Sequence, residues 1–379
     1  MSLREQMGRK LREAREIACI SQEAVAEQLG MVRQTLARIE KGEMPADSEQ
    51  LLQLAALYQR PVTWFYDQQA GGPLMLALRA DSPELLSANL RADMLNRFQL
   101  LGELEQAAGV HSAHGLPPAE ALIKGDEYEL QRSKAMAASE RARLGLGETA
   151  PVGDAVALLE GVGIRIIPFE LEPGEDQKLS GFSAYSEQAG AGIFINIHPA
   201  LSLEHQRFSL FHEYAHLIFH RQVYRQPGES YKTRGKGVSP EEKVANIFAG
   251  SFLVPGSALV RLVGEVRQFT VTDILYYKRV FGVAFSMILM RLEQEGLLRS
   301  ENKKQLWGTA MRNGWIKNEP KPMAGKLHCG GRVLMLSRHA FERQEASIAF
   351  LQEVLQQSRK DVAVLLREWE QEARTDAVH

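Results

Sequence analysis

Apolar residues at the start of the chain recur at helical spacing, Leu3, Met7, Leu11, Ala14 and Ala18, and predict a first helix. Ser21 offers an N-cap for a second helix that runs to Leu29-Gly30. A third follows over Met31 to Gly42, with Leu36 and Ile39 inward and Arg33, Gln34, Ala37, Arg38 and Lys41 outward. Residues 3 to 66 together read as five short helices, closed by a turn-rich hinge at Gln68 to Pro73. Residues 84 to 148 are mostly helical, with amphipathic stretches at Arg91 to Leu101, Leu104 to Ala108 and Glu127 to Leu144. A coiled connector and a packed part of the following domain both fit that pattern.

Beyond Pro151 the pattern changes to a helix at 152–160 and strands at Gly163 to Pro168, Gly181 to Tyr185 and Gly192 to Ile197. The last of these, GIFINI, alternates too poorly to tell a sheet edge from an interior strand. Phe208 to Phe219 is apolar on nearly every side except at two histidines, a glutamate and Ser209, which predicts a helix buried in a core. Ser239 and Pro240 start another helix, which carries Val244, Ala245, Ile247, Phe248, Phe252 and Leu253 and stops at Pro255-Gly256. Between the two lies a loop, Arg221 to Val238, with five basic residues and three glycines. A substrate lid and a solvated loop are both open for it. The tail, about 337 to 374, is helical and amphipathic and suits packing or dimerisation. The expected class is α+β, mainly helical.

Composition narrows the function classes. With 379 residues, 45% of them hydrophobic, the chain has room for two or three domains. A net charge of −2 points neither to a polybasic nucleic-acid coat nor to a membrane surface. Two cysteines, Cys19 and Cys329, predict no disulfide framework and a reducing compartment. No apolar run approaches a membrane span, so a cytoplasmic protein is expected.

The buried helix carries His212-Glu213-Tyr214-Ala215-His216. Histidines four apart share a helical face and can reach one metal, and the intervening Glu213 can deprotonate a water beside it. A bare match to five letters is weak; the apolar flanks strengthen it, because two buried histidines and a carboxylate are costly without a metal or a mutual network. A third ligand must come from elsewhere. Glu242, in the first turn of the helix starting at Ser239, suits that role and equally suits a capping box with Ser239.

The stretch Arg207 to His220 (RFSLFHEYAHLIFH), followed by Glu242-x-x-Ala245-Asn246-x-Phe248-Ala249 and Leu253-x-Pro255, resembles the ImmA/IrrE family of zinc metallopeptidases. The resemblance implies zinc on His212, His216 and Glu242, Glu213 as general base, and Asn246 holding a ligand from one turn along. Such sequences often have Gly where this chain has Ala215, and Tyr214 is bulky. His220 fits a helix end better than a fourth ligand, which would leave no room for water. No spacing identifies an oxyanion donor; Tyr185, His205 and Tyr231 are polar candidates. Residues 271–298 and Trp307 to Trp315 are similar to segments of longer family members.

The N-terminal block, with Ser21-Gln22-Glu23 and Arg38-Ile39-Glu40-Lys41-Gly42, resembles the Cro/repressor (XRE) helix-turn-helix family. That implies a recognition helix in the major groove, with Arg33 and Gln34 at base edges and Thr35, Arg38 and Gln22 at phosphates. Val32 stands where Ser or Thr often caps that helix, so it starts loosely or buries Val32. Through Asp67 there are nine basic and ten acidic residues, so non-specific affinity is expected to be weak and a homodimer on a two-fold operator is expected. A module kept for protein interaction is the alternative.

The expected organisation is therefore a five-helix DNA-binding domain at 1–67, a helical connector at 68–150, and a zincin-like peptidase domain with a small sheet and an HExxH helix at 151–300. A C-terminal helical extension fills 301–379. The function this implies is a DNA-binding, zinc-dependent endopeptidase that acts in transcription, stress or phage defence by cleaving a repressor or antitoxin-like partner. The rival is a non-proteolytic repressor or antitoxin using the zinc fold as sensor or scaffold, against which an intact Glu213 counts.

Overall fold

The computed structural model describes residues 3–17, 20–58, 62–66, 77–80, 87–110, 115–174, 179–187, 189–223, 238–266 and 268–376. The N-terminal unit has helices α1 (Leu3–Ile17), α2 (Gln22–Gln28), α3 (Arg33–Glu40) and α4 (Ser48–Leu57) and a 3₁₀ turn, Val62–Tyr66, as its fifth element. Ser21 caps α2, accepting from the Ala24 N–H, and Gly30 makes the turn into α3 at φ +63°. Leu11, Val25, Leu36, Ile39, Leu54 and Phe65 form the core. Glu40 is buried on α3, and its carboxylate accepts from Arg15 of α1 at 2.6 Å and Gln22 of α2 at 2.8 Å, so one ion-pair network ties three helices.

The second unit is built on a four-stranded sheet, β1 (Ala77–Ala80), β2 (Ile164–Phe169), β3 (Gly181–Ser186) and β4 (Gly190–Asn196), in the order β1-β3-β4-β2. β3 is antiparallel to both neighbours and β4 runs parallel to β2. Both faces are covered. Ile166, Ile193 and Ile195 pack with the core around α8 (Leu203–Phe219), whereas Ile167, Phe169, Phe182 and Phe194 pack with Met94, Leu95 and Phe98 of α5 (Ala88–Ala107). Burial on both faces is why GIFINI lacks alternation. β4 is an interior strand, and the edges are β1 and β2.

The two long helices between the N-terminal unit and β2 pack against the sheet-bearing unit. α5 forms the second cover of the sheet, with the Arg165 guanidinium 4.5 Å above the Phe98 ring and 2.8 Å from Glu105. α6 (Glu127–Arg143) packs along α9 (Pro240–Leu253), where the Ser133 hydroxyl donates to the Val244 carbonyl at 2.9 Å and Arg141 to that of Phe252 at 2.6 Å. Long-range burial, which local periodicity does not report, places both helices in the sheet-bearing unit. The main core also takes in α7 (Ala155–Glu160), α10 (Gly256–Val263), α11 (Val271–Phe281) and α12 (Phe285–Gln294), and past residue 300 α13 (Ser300–Arg312) adds Leu306 and Ala310 to it. α14 (Gly331–Glu342) lays Leu336 and Ala340 against Leu104 of α5 and Ala108, which caps its C-terminus, and Leu351, Val362, Leu366 and Trp369 join α15 (Ile348–Leu355) to α16 (Arg359–Asp376). Among the described residues no single helix is long and apolar enough to cross a membrane. The hinge at 68–73 and most of the loop at 221–238 lie outside the described residues.

Candidate metal centre

Two helices bring the candidate ligands together. α8 is capped by Ser202, whose hydroxyl accepts from the His205 N–H, and is buried on all sides from Ser209 to Phe219. α9 is capped by Ser239, which accepts from the Glu242 N–H at 3.3 Å, with Pro240 in its first turn. Aromatic packing fixes their separation: Phe211 stacks on Phe252 with centroids 4.6 Å apart, and Phe248 meets Tyr214 and Phe219 edge-on. Tyr214, the bulky residue inside the motif, is fully buried, and its hydroxyl donates to Glu140 of α6 at 2.6 Å. Burial, reinforced by the Glu140 charge, pushes that phenol above its ordinary pKa, so it stays a neutral donor.

His212, His216 and Glu242 converge, each offering a ligand atom within 4.8 Å of the others. Glu242 oxygens lie 3.0 Å from His212 Nε2 and 3.2 Å from His216 Nε2, and the two Nε2 atoms are 3.0 Å apart. The outer nitrogens decide what these atoms are. His212 Nδ1 faces the Asn246 side-chain oxygen at 3.1 Å, an acceptor, so Nδ1 carries the proton and a neutral ring would turn its Nε2 lone pair on the other two groups. His216 is nearly solvent-free, and its Nδ1 lies 2.8 Å from Nδ1 of His220. Two imidazoles and a carboxylate turned on one point could hold a metal ion there. The donor set of two imidazoles and one carboxylate fits a divalent metal with a coordination position left open.

Glu213 is 4% exposed, and Ser183 of β3 donates to its Oε2 at 2.9 Å. Gly181 passes so close that a Cβ there would sit 3.2 Å from Glu213 Cγ and 2.9 Å from the Phe194 carbonyl, so only glycine lets β3 run beside the base. Neither Ser183 nor His220 was singled out as part of the site by the sequence; the His216-x-x-x-His220 repeat at i, i+4 was the available signal for the latter. Of the polar oxyanion candidates, His205 is bonded to Ser180 at 2.8 Å, Tyr185 lies under the Arg221 guanidinium at 5.7 Å, and Tyr231 lies outside the described residues.

In the N-terminal unit, Arg33, Gln34 and Arg38 are exposed on α3 and Thr35 is half-buried. Val32 is 66% exposed at the N-cap and makes no side-chain cap, so the helix begins uncapped. Gln22 and Arg33 line one cleft with Arg12, Arg15, Ser21 and Glu23, and one Gln22 N–H is committed to Glu40.

Comparison with known proteins accords with these two geometries. No curated protein sequence matches the chain. Residues 159–293 match the family model of the IrrE N-terminal-like domain, which belongs to a zincin-like metallopeptidase family, and residues 6–63 match that of a helix-turn-helix domain. The chain thus joins an XRE-like helix-turn-helix domain to a peptidase-family domain of the ImmA/IrrE type.

Proposed function

We propose that the protein is a DNA-binding zinc endopeptidase of the cytoplasm that cuts a partner regulator of the repressor or antitoxin type and so changes transcription. The observation that carries this is the convergence of His212, His216 and Glu242 beside a buried Glu213. Zinc held by those three ligands would supply the Lewis acidity that polarises a peptide carbonyl and makes water acidic near neutral pH. Asn246 orients the His212 ring through Nδ1. Ser183, by donating to Glu213 Oε2, orients the carboxylate that would take a proton from the attacking water and pass it to the departing amine. The purified chain should cut the regulator encoded beside it, lose that activity to a zinc chelator and regain it with added zinc. Cleavage that survives complete metal removal would rule the mechanism out.

The same proposal assigns α3 to the major groove of an operator bound by two copies. Arg33 and Gln34 sit in its first turn, and Arg38 a turn later, 61% exposed and only loosely paired with Glu43 at 3.8 Å. Arg33→Ala or Gln34→Ala should cost about 1–3 kcal/mol on the native operator and relax its sequence preference. Arg38→Ala should weaken all DNA alike and flatten the salt dependence by about one charge. Footprinting and salt titrations separate the two effects; no protected site at the protein's own promoter or that of its partner would point to a protein-interaction module.

A further inference from the structure

The sheet approaches the candidate metal centre through one strand. β3 carries Ser183, which donates to Glu213 at 2.9 Å, and Gly181, where an added Cβ would lie 3.2 Å from Glu213 Cγ. On one side β3 pairs with β4, whose Ile193 and Ile195 enter the apolar core. On the other it pairs with β1, antiparallel and in a register that sets the Arg79 backbone opposite Ser183 and that of Ala80 opposite Phe182. Paired strands lie about 4.8 Å apart, so β1 runs one strand spacing from the residue that holds Glu213. β1 does not come from the peptidase-family part of the chain. The family match covers residues 159–293 and so takes in β2, β3 and β4, whereas β1 is supplied from between the N-terminal unit and α5. Without β1, β3 would be an open edge, and open edges pair with extended peptides through their unpaired N–H and C=O groups. β1 is four residues long and is paired on one side only, which sets it among the readily exchanged parts of the fold.

We propose that β1 is an internal substitute for substrate: the chain's own linker fills the β3 edge on which an extended peptide is presented to Glu213, and it holds the peptidase in check until it leaves. The inference rests on the peptidase reading above and adds the regulation of that site. An incoming segment must be extended and must displace an occupant that the covalent chain keeps at high local concentration. The occupant is also tied to the N-terminal unit. β1 lies between the turn Val62–Tyr66, whose Phe65 belongs to the N-terminal core, and α5, whose Ala92 packs in that same core. Both flanks of the strand are thus anchored to the unit that would meet DNA, and binding there acts on the strand through them. A permanent edge guard would cover the same backbone groups but would not exchange, and exchange is what separates the two.

The test uses the full chain and a fluorescein-labelled peptide of residues 74–84, LMLALRADSPE. Successive residues of a strand turn their N–H groups to opposite sides, so Leu78→Pro together with Arg79→Pro removes a donor to β3 whichever of the two supplies it. Fluorescence anisotropy with metal-free protein should show the peptide binding this double variant about tenfold or more tighter than wild type, because the tethered competitor is gone. Loaded with zinc, the double variant should cut labelled casein faster than wild type by a similar factor, and adding Glu213→Gln should abolish the gain. Equal peptide binding by the two folded chains overturns the occupancy of the edge, and equal casein cleavage overturns the regulation. If the double proline variant does not fold, Leu78→Gly with Arg79→Gly, which weakens the strand without removing a donor, takes its place with the same two readouts. Gained peptide binding with no casein cleavage by either zinc-loaded chain would defeat the peptidase reading while upholding β1 as an exchangeable occupant of the edge.

Discussion

Replacing Glu213 with Gln should leave the fold and bound zinc intact while cleavage of the partner regulator falls about 10²–10⁴-fold, the usual contribution of a positioned general base. The substitution is nearly isosteric, which matters beside Gly181, where there is no space for a larger group. The amide oxygen of Gln can still accept from Ser183, so the strand-to-helix contact at 2.9 Å survives. What disappears is the capacity to take a proton from water. His212, His216 and Glu242 are untouched, so metal content by mass spectrometry should match wild type. Cleavage in a co-expression assay that proceeds at the wild-type rate in this variant would remove Glu213 from the mechanism.

The second large effect is expected at Glu242. The purified chain should carry about one zinc, and Glu242→Gln should lose more affinity than the roughly 10–100-fold that removal of an outer partner costs, because it deletes an anionic ligand outright. The structure separates this from a capping role. Ser239 caps α9 by accepting from the backbone N–H of residue 242, a bond that the side-chain change does not touch, while the carboxylate itself sits against the two imidazoles. Thermal melting of the metal-free variant should therefore stay close to that of metal-free wild type. Full zinc occupancy in the variant under a competing chelator would make Glu242 a cap and send the search for a third ligand elsewhere.

How much of this is legible in the chain depends on distance along it. His212, Glu213 and His216 follow from spacing on one helix; Glu242 is a candidate from its place in a second helix marked by Ser239-Pro240, and its choice over a cap, like the role of Asn246, comes from the family resemblance of Glu242-x-x-Ala245-Asn246. The three strands between 163 and 197 and the main helices are visible in local periodicity. Contacts across long separations are not. Phe98 meets Phe194, and Tyr214 finds Glu140, through packing that leaves no periodic trace. β1 is four residues long and too short to alternate. His220 was readable as a helix end, which it is, but its bond to a carbonyl 98 residues earlier is visible only in three dimensions.

The 20-residue helix α5 enters three separate cores. Ala92 belongs to the N-terminal unit, Met94, Leu95 and Phe98 to the sheet, and Leu104, with the C-cap Ala108, to the C-terminal helices. At about 1.5 Å per residue it is a rod of roughly 30 Å, and the modules are stations along it instead of beads on a string. Truncation at any module border therefore strips an apolar patch from a neighbour, and a twist of the rod at one station is felt at the others. Dissection of this protein into independent fragments would have to begin by deciding which of them keeps α5.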